Sequence, residues 1–219
     1  MKKLADLNIL EVQTLVLQGA VIAFLFGFFK VTNVLIIGLV LTWIIDKEIK
    51  QKLKTAFTNQ YVWLFISYFI LTLIGITYSE DLKVANKFLE MRIVMFLLPL
   101  VISTIAFKTV QMNRILSSFS FGTSVAMIIG LLYSAHLYQQ SGDSGYFFND
   151  NLTLLLDNKA AYYAIYVNIA VVISLFMIKR NPKNVLNYIL LGSFVVFQFL
   201  LATRISILTL AIIILLAFF

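Results

Sequence analysis

The sequence predicts an all-α, polytopic transmembrane bundle of about eight spans, and three observations carry that prediction. Of 219 residues, 61% are hydrophobic and 12% charged, with a mean hydropathy of +0.96, whereas soluble domains average near half apolar and a quarter charged. The apolar residues gather in runs close to the roughly 20 residues a helix needs to cross a bilayer. Two prolines and nine glycines argue for long uninterrupted helices, since a membrane barrel would require many turns. The same composition excludes a soluble globular domain, a disordered tail and a collagen-like fibre. Cysteine is absent, which removes disulfide frameworks, thiolate metal sites and Cys nucleophiles and leaves the compartment unread from redox chemistry.

Each element follows in order. Residues 1–11 are short and amphipathic, with Lys2 and Lys3. The apolar run at 12–29 lacks a small-x-small cleavage site and more spans follow, so it reads as a retained first helix. The second span, 34–45, is short and ends at Trp43 ahead of Asp46-Lys47-Glu48, an interfacial aromatic followed by charge. Residues 46–60 are polar and basic. The third span, 61–78, carries aromatics at both ends. A charged connection at 79–90 leads to the fourth span, 93–107, where Pro99 predicts a kink. After a short loop at 108–114 comes the fifth and longest span, 115–138. Residues 139–159 form an outer loop with a flexible tip at 141–145. The sixth span is 160–178, followed by a basic turn at 179–184. The remaining 185–219 would be about 50 Å long as one helix, against a hydrocarbon core of about 30 Å. A tight turn is therefore predicted at its polar point, Thr203-Arg204-Ile205-Ser206, although no Gly or Pro supports the break.

Charge assigns an orientation. With the N-terminus inside and eight spans, eleven of the 17 basic residues and four of the ten acids fall on inside segments. The formal excess of +7 then lies wholly inside, as the positive-inside rule requires, and a nucleic-acid partner is not needed to explain it.

Ionisable groups near lipid depth are the first functional candidates in such a chain. Arg204 lies between two apolar runs with no acid nearby in sequence. Two readings stand open: a guanidinium snorkelling to lipid headgroups, or one holding a phosphate oxygen pair in its planar fork. Lys83 and Lys87 share a helical face, and with Arg92 they would form a basic lip for an anionic lipid-linked substrate. The alternative is a solvated loop with local ion pairs to Glu80 or Glu90. His136, the single histidine, lacks metal-ligand spacing and reads as interfacial. Asp143, Asp150 and Asp157 read as a solvated loop. Tyr162, Tyr163 and Tyr166 read as a packing face. Gly-rich phosphate loops, HExxH and GxSxG are absent, and no metal or cofactor is expected.

Several segments, in order, resemble the N-terminal half of the O-antigen ligase and polymerase superfamily of bacterial membrane glycosyltransferases. They are the first hairpin ending in Thr42-Trp43-Ile44-Ile45, then Gly75-Ile76-Thr77-Tyr78-Ser79-Glu80-Asp81, then Phe88-Leu89-Glu90-Met91-Arg92 leading to Phe96-Leu97-Leu98-Pro99-Leu100, and finally Leu200-Leu201-Ala202-Thr203-Arg204-Ile205-Ser206. The resemblance implies a GT-C-like helical membrane fold without a metal. It implies transfer or polymerisation of glycan from undecaprenyl diphosphate to an acceptor glycan, at the outer face of the inner membrane, in lipopolysaccharide and cell-surface polysaccharide biosynthesis. Arg204 would hold the carrier's pyrophosphate, with Arg92 and Lys87 as further contacts. The family's catalytic histidine lies in later parts, and His136 does not match its position. Thr203 stands where the family often has Ser, and Lys159 precedes Ala160-Ala161-Tyr162 where some members show His-x-x-Tyr.

The chain ends in an apolar run, 212–219, which predicts an N-terminal fragment of a longer, multi-pass inner-membrane protein with a cytoplasmic N-terminus, inactive by itself. Two other classes remain. A transporter or flippase subunit would carry charged or discontinuous helices near mid-membrane. A noncatalytic membrane assembly protein would be dominated by small-xxx-small faces, of which Gly122 and Ala126 give one instance.

Overall fold

The computed structural model describes residues 9–45, 49–79, 81–156 and 158–218. They form α1 (Ile9–Leu25), α2 (Phe29–Ile45), α3 (Ile49–Thr58), α4 (Gln60–Thr77), α5 (Leu82–Ile102), α6 (Thr109–Ser141), two 3₁₀ segments at Ser144–Phe147 and Asn149–Leu156, α7 (Ala160–Arg180), α8 (Val185–Leu200) and α9 (Arg204–Phe218). No strand occurs among the described residues, so the all-α expectation holds. Three helices, α4, α6 and α7, are long and apolar enough to cross a membrane. A fourth span arises if α2 and α3, which meet at 114°, are counted together. The other apolar helices are shorter: α1 has 17 residues, α8 has 16, α9 has 15, and the apolar part of α5 begins only at Arg92. Helix length thus supports three or four crossings, where the sequence predicts about eight.

Local boundaries differ from the sequence reading in instructive ways. The first break falls at Gly27, whose φ of +74° is a left-handed conformation suited to glycine, and Lys30 joins the first turn of α2. Residues 49–58 are a helix and not a loop: Leu53 is half-buried and Ala56 buried, one turn apart, while Lys50 and Lys54 stay outside. Pro99 lies inside α5, three residues before its end, where its missing N–H leaves the Met95 carbonyl without its i→i−4 donor. The last break runs from 201 to 203, just ahead of the predicted turn at 203–206 and sharing only Thr203 with it; Arg204, Ile205 and Ser206 already belong to α9. Ala202 takes φ +50° there, so the turn is made by a strained alanine in place of the absent glycine.

The chain divides into two compact units, residues 1–17 with 34–111, and residues 18–33 with 112–219. In the first, α4 and α5 pack together, with Phe69 stacked on Phe96 at 5.1 Å between ring centres. Asn59 ends α3 and starts α4 by accepting the Tyr61 N–H at 3.0 Å. Trp43 donates through Nε1 to Thr104 Oγ1 at 2.7 Å, and Lys52 lies over its ring while donating to its carbonyl.

The second unit holds a core of Ala126, Met127, Leu152, Leu156, Phe194, Phe197, Leu201, Leu210 and the inner face of α7. That face reads Ala160, Ala164, Val167, Val171, Ser174 at steps of three and four, small enough for close helix approach. Gly122 and Ala126 are used within this unit: a Cβ at Gly122 would come 2.9 Å from Leu25 Cδ1, and Ala126 is fully buried. Residues 144–156 are mostly helical turns, where the sequence reading has a loop with a flexible tip at 141–145. Both 3₁₀ segments lie there, Leu152, Thr153 and Leu156 are buried, and the Leu152 carbonyl would meet a Cβ at Gly130 at 2.7 Å.

Candidate functional site

In the second unit, α9 opens at Arg204, whose side chain is exposed. Among the described residues its backbone N–H and that of Ile205 have no hydrogen-bond acceptor, since the first bonds of the helix run from Ser206 and Ile207 to the Thr203 carbonyl. Free N–H groups and an added guanidinium make this end positive. Arg204 lies on the wall of a cavity of about 620 Å³ between α7 and α9. Aliphatic side chains dominate the rest of that wall: Ile165, Ile169 and Val172 from α7, Ile205 and Ile213 from α9.

Behind Arg204 lies a buried polar cluster. Asn168, on α7 and 5% exposed, donates through Nδ2 to the Ser206 carbonyl at 3.1 Å and to Ser206 Oγ at 2.8 Å. Gln198, on α8, donates to the same hydroxyl. Two helices, α7 and α8, are thus tied to the first turn of α9. Asn168 Oδ1, Gln198 Oε1 and Thr203 Oγ1 are buried without a hydrogen-bond partner among the described residues, each a deficit of about 1–3 kcal/mol unless water or a ligand fills it. Asn168, Thr203 and Ser206 line the cavity.

Arg92 belongs to the first unit. It donates to Thr72 Oγ1 at 3.1 Å, lies over the Tyr68 ring at 5.4 Å, and borders a different cavity of about 320 Å³. The side chain of Lys87 lies outside the described residues, as do Glu80 and Asp157; Lys83 is exposed, and its N–H is capped by Asp81 Oδ1.

The other candidates take structural roles. Asp143 accepts the Gly145 N–H at 2.8 Å, and Asp150 accepts the Ala160 N–H at 2.7 Å. Asp150 thereby caps α7, where Lys159 at the N-cap position makes no side-chain bond. His136 is exposed and contacts Gln140 at 3.0 Å; no three metal-ligating side chains come together among the described residues. The tyrosines divide. Tyr163 is buried, donates to the Thr123 carbonyl and meets Phe197 edge-to-face, and Tyr166 packs on Phe24, whereas Tyr162 lines the Arg204 cavity.

Asn168 and Gln198 are the site residues the sequence reading passed over. Both are amides inside apolar runs, and a polar side chain at membrane depth is itself a pointer to a partner. No known protein family, curated protein or solved structure matches the chain.

Proposed function

We propose that this protein binds an undecaprenyl-diphosphate-linked glycan at the outer face of the bacterial inner membrane, and serves its ligation or polymerisation in cell-surface polysaccharide biosynthesis. One observation carries the reading. An exposed arginine opens α9 on the wall of a cavity that is otherwise mostly aliphatic. That combination suits an amphiphile with an anionic head and an apolar chain. The diphosphate would lie against the Arg204 fork and the open N–H groups of α9, and the isoprenoid along Ile165, Ile169 and Ile213. In the transfer step an acceptor hydroxyl attacks the anomeric carbon, the bond from that carbon to the carrier diphosphate breaks, and the hydroxyl proton passes to the departing diphosphate or to water. Arg204 offsets the charge that develops on that leaving group. The proposal includes eight crossings with a cytoplasmic N-terminus, the arrangement that puts the charge excess inside.

The test is glycan transfer in cells whose intact gene carries Arg204→Ala, at normal protein level. Loss of a charge-assisted contact predicts a fall of roughly ten- to a hundredfold, with partial recovery in Arg204→Lys. Unchanged transfer returns Arg204 to a headgroup contact.

A transporter or flippase reading gains one observation: the helical run at 185–218 is discontinuous at 201–203, next to buried oxygens without a hydrogen-bond partner among the described residues. Movement of labelled carrier across proteoliposomes, without any change in glycan length, would favour it.

A further inference from the structure

α3 separates an apolar arc from basic flanks. Ile49, Leu53, Ala56 and Phe57 share one side of the helix at steps of three and four, and Lys50 and Lys54 border that side next to Phe57. The middle of the arc is used inside the protein, with Ala56 buried and Leu53 half-buried, but its edge is open, and Phe57 is 45% exposed. Lys50 and Lys54 are exposed as well. Lys52, on the opposite flank, lies over the Trp43 ring at 5.7 Å and donates to the Trp43 carbonyl at 3.2 Å. With ten residues, α3 is about 15 Å long, too short to cross a hydrocarbon core by itself.

What covers the open edge follows from its neighbours. At Asn59 the chain turns into α4, one of the helices long and apolar enough to cross a membrane. In its first turn Tyr61 is exposed and Trp63 is 49% exposed. The Trp63 ring lies 6.0 Å from that of Phe57, and its Nε1 donates to the Phe57 carbonyl at 2.8 Å. The indole N–H is thus satisfied within the protein, and the two rings form a fixed aromatic shelf. Exposed Trp and Tyr at the end of a spanning helix mark the headgroup layer, and α3 lies at that level.

Charge then selects the kind of surface. Residues 46–58 hold four lysines and two acids, Asp46 and Glu48. Whatever ion pairs form within this segment, at least two of its positive charges exceed its acids. The next acids along the chain, Glu80 and Asp81, follow the far end of the 18-residue α4, about 25 Å away. α5 runs antiparallel to α4, since Phe96 meets Phe69 and Arg92 meets Thr72, which puts Glu90 toward that far end too. A leaflet with anionic headgroups supplies the matching charge in the layer that the aromatic shelf occupies.

We infer that α3 and the first turn of α4 are a docking surface for the headgroup layer of an anionic phospholipid leaflet. Lys50 and Lys54 meet the phosphates, and Phe57 and Trp63 enter among the upper acyl chains. The surface stands on residues of the first unit alone and does not depend on the carrier reading of Arg204.

The experiment uses the full chain in vesicles of phosphatidylcholine and phosphatidylglycerol. The chain has two tryptophans, and both flank α3. Trp43 is buried and bonded to Thr104, whereas Trp63 is open, so quenching of tryptophan fluorescence by brominated lipid reports Trp63. Bromines high on the acyl chain should quench more than bromines near its end. Brominated phosphatidylglycerol should occupy the neighbourhood of Trp63 about fivefold or more in preference to brominated phosphatidylcholine. Lys50→Gln combined with Lys54→Gln should bring that ratio close to one without changing thermal unfolding, because both side chains are exposed and Gln has nearly the helix propensity of Lys. Lys83→Gln, exposed beyond the far end of α4, should keep the ratio. In the unaltered protein, salt at about 0.5 M should shrink it. The inference is overturned if wild type shows no preference, if a folded double variant or high salt leaves the preference intact, or if the deeper bromines quench more. It is also overturned if no brominated lipid reaches Trp63, as when a second copy of the chain covers this face.

Discussion

Gly130 and Gly192 both lie inside helices, yet their surroundings make opposite demands. At Gly130 a Cβ would press on the Leu152 carbonyl at 2.7 Å, a backbone atom that cannot rotate away, while at Gly192 no heavy atom lies within 4 Å. Gly130→Ala should lower stability by about 1–3 kcal/mol as overpacking, and Gly192→Ala should hold or raise it by up to about 1 kcal/mol through helix propensity. Thermal unfolding of the two variants in one detergent compares them directly. Thr203→Val is informative in another way. The Thr203 hydroxyl is buried without a partner among the described residues, so replacing it with a methyl removes no bond from the fold and should leave the unfolding temperature at or above that of wild type. If transfer activity falls in this variant while stability holds, the hydroxyl serves a ligand. A drop in unfolding temperature would show instead that it serves the protein. None of these contrasts could be read from sequence, where Gly130 and Gly192 look alike and Thr203 is one hydroxyl among many.

Among the elements, α7 shows how a helix start can be assigned correctly while its cause stays hidden. The sequence places the start at Ala160, where the apolar run begins, and the helix begins there. Lys159 offers no acceptor for the first-turn N–H groups, and the acceptor comes instead from Asp150, ten residues back on the second 3₁₀ segment. Asp150→Ala should therefore cost about 1 kcal/mol and expose the 149–156 segment to proteolysis, which limited digestion would detect. Asp150→Asn keeps an acceptor and should lose less. Asp143 and Asp150 thus accept the backbone N–H groups of Gly145 and Ala160. The α8–α9 break is the converse case: the polar residues 203–206 pointed to a break in this run, but it falls at 201–203, because it is made by an alanine at positive φ, which has no sequence signature.

At the scale of the whole molecule, orientation is the open quantity with a direct measurement. The chain has no cysteine, so single cysteines report without background. Lys54→Cys should react with a membrane-impermeant maleimide only after permeabilisation, and Ser141→Cys should react from outside in intact cells. The reverse pattern overturns the proposed orientation. A cysteine at Ala202, exposed at the break, tests whether the 16-residue α8 crosses. Labelling from outside supports the eight-span arrangement, and protection leaves only the three or four crossings that helix length supports.

The sequence by itself determined the helical class and the presence of helices long and apolar enough to cross a membrane. These properties are sums over many residues, so the average hydropathy outweighs any single contact. It also placed a turn at 203–206, and the structure moves the break to 201–203 so that Arg204 opens α9. What only the tertiary structure decided is which polar groups meet. Asn168, Gln198 and Ser206 lie on three different helices, and their encounter depends on how those helices pack. Thr72 and Arg92 are 20 residues apart and come together only because α4 and α5 pack against each other. Periodicity describes one helix at a time, whereas a site is made of side chains from several, and its geometry is set by packing distances of a few ångströms that no one segment encodes.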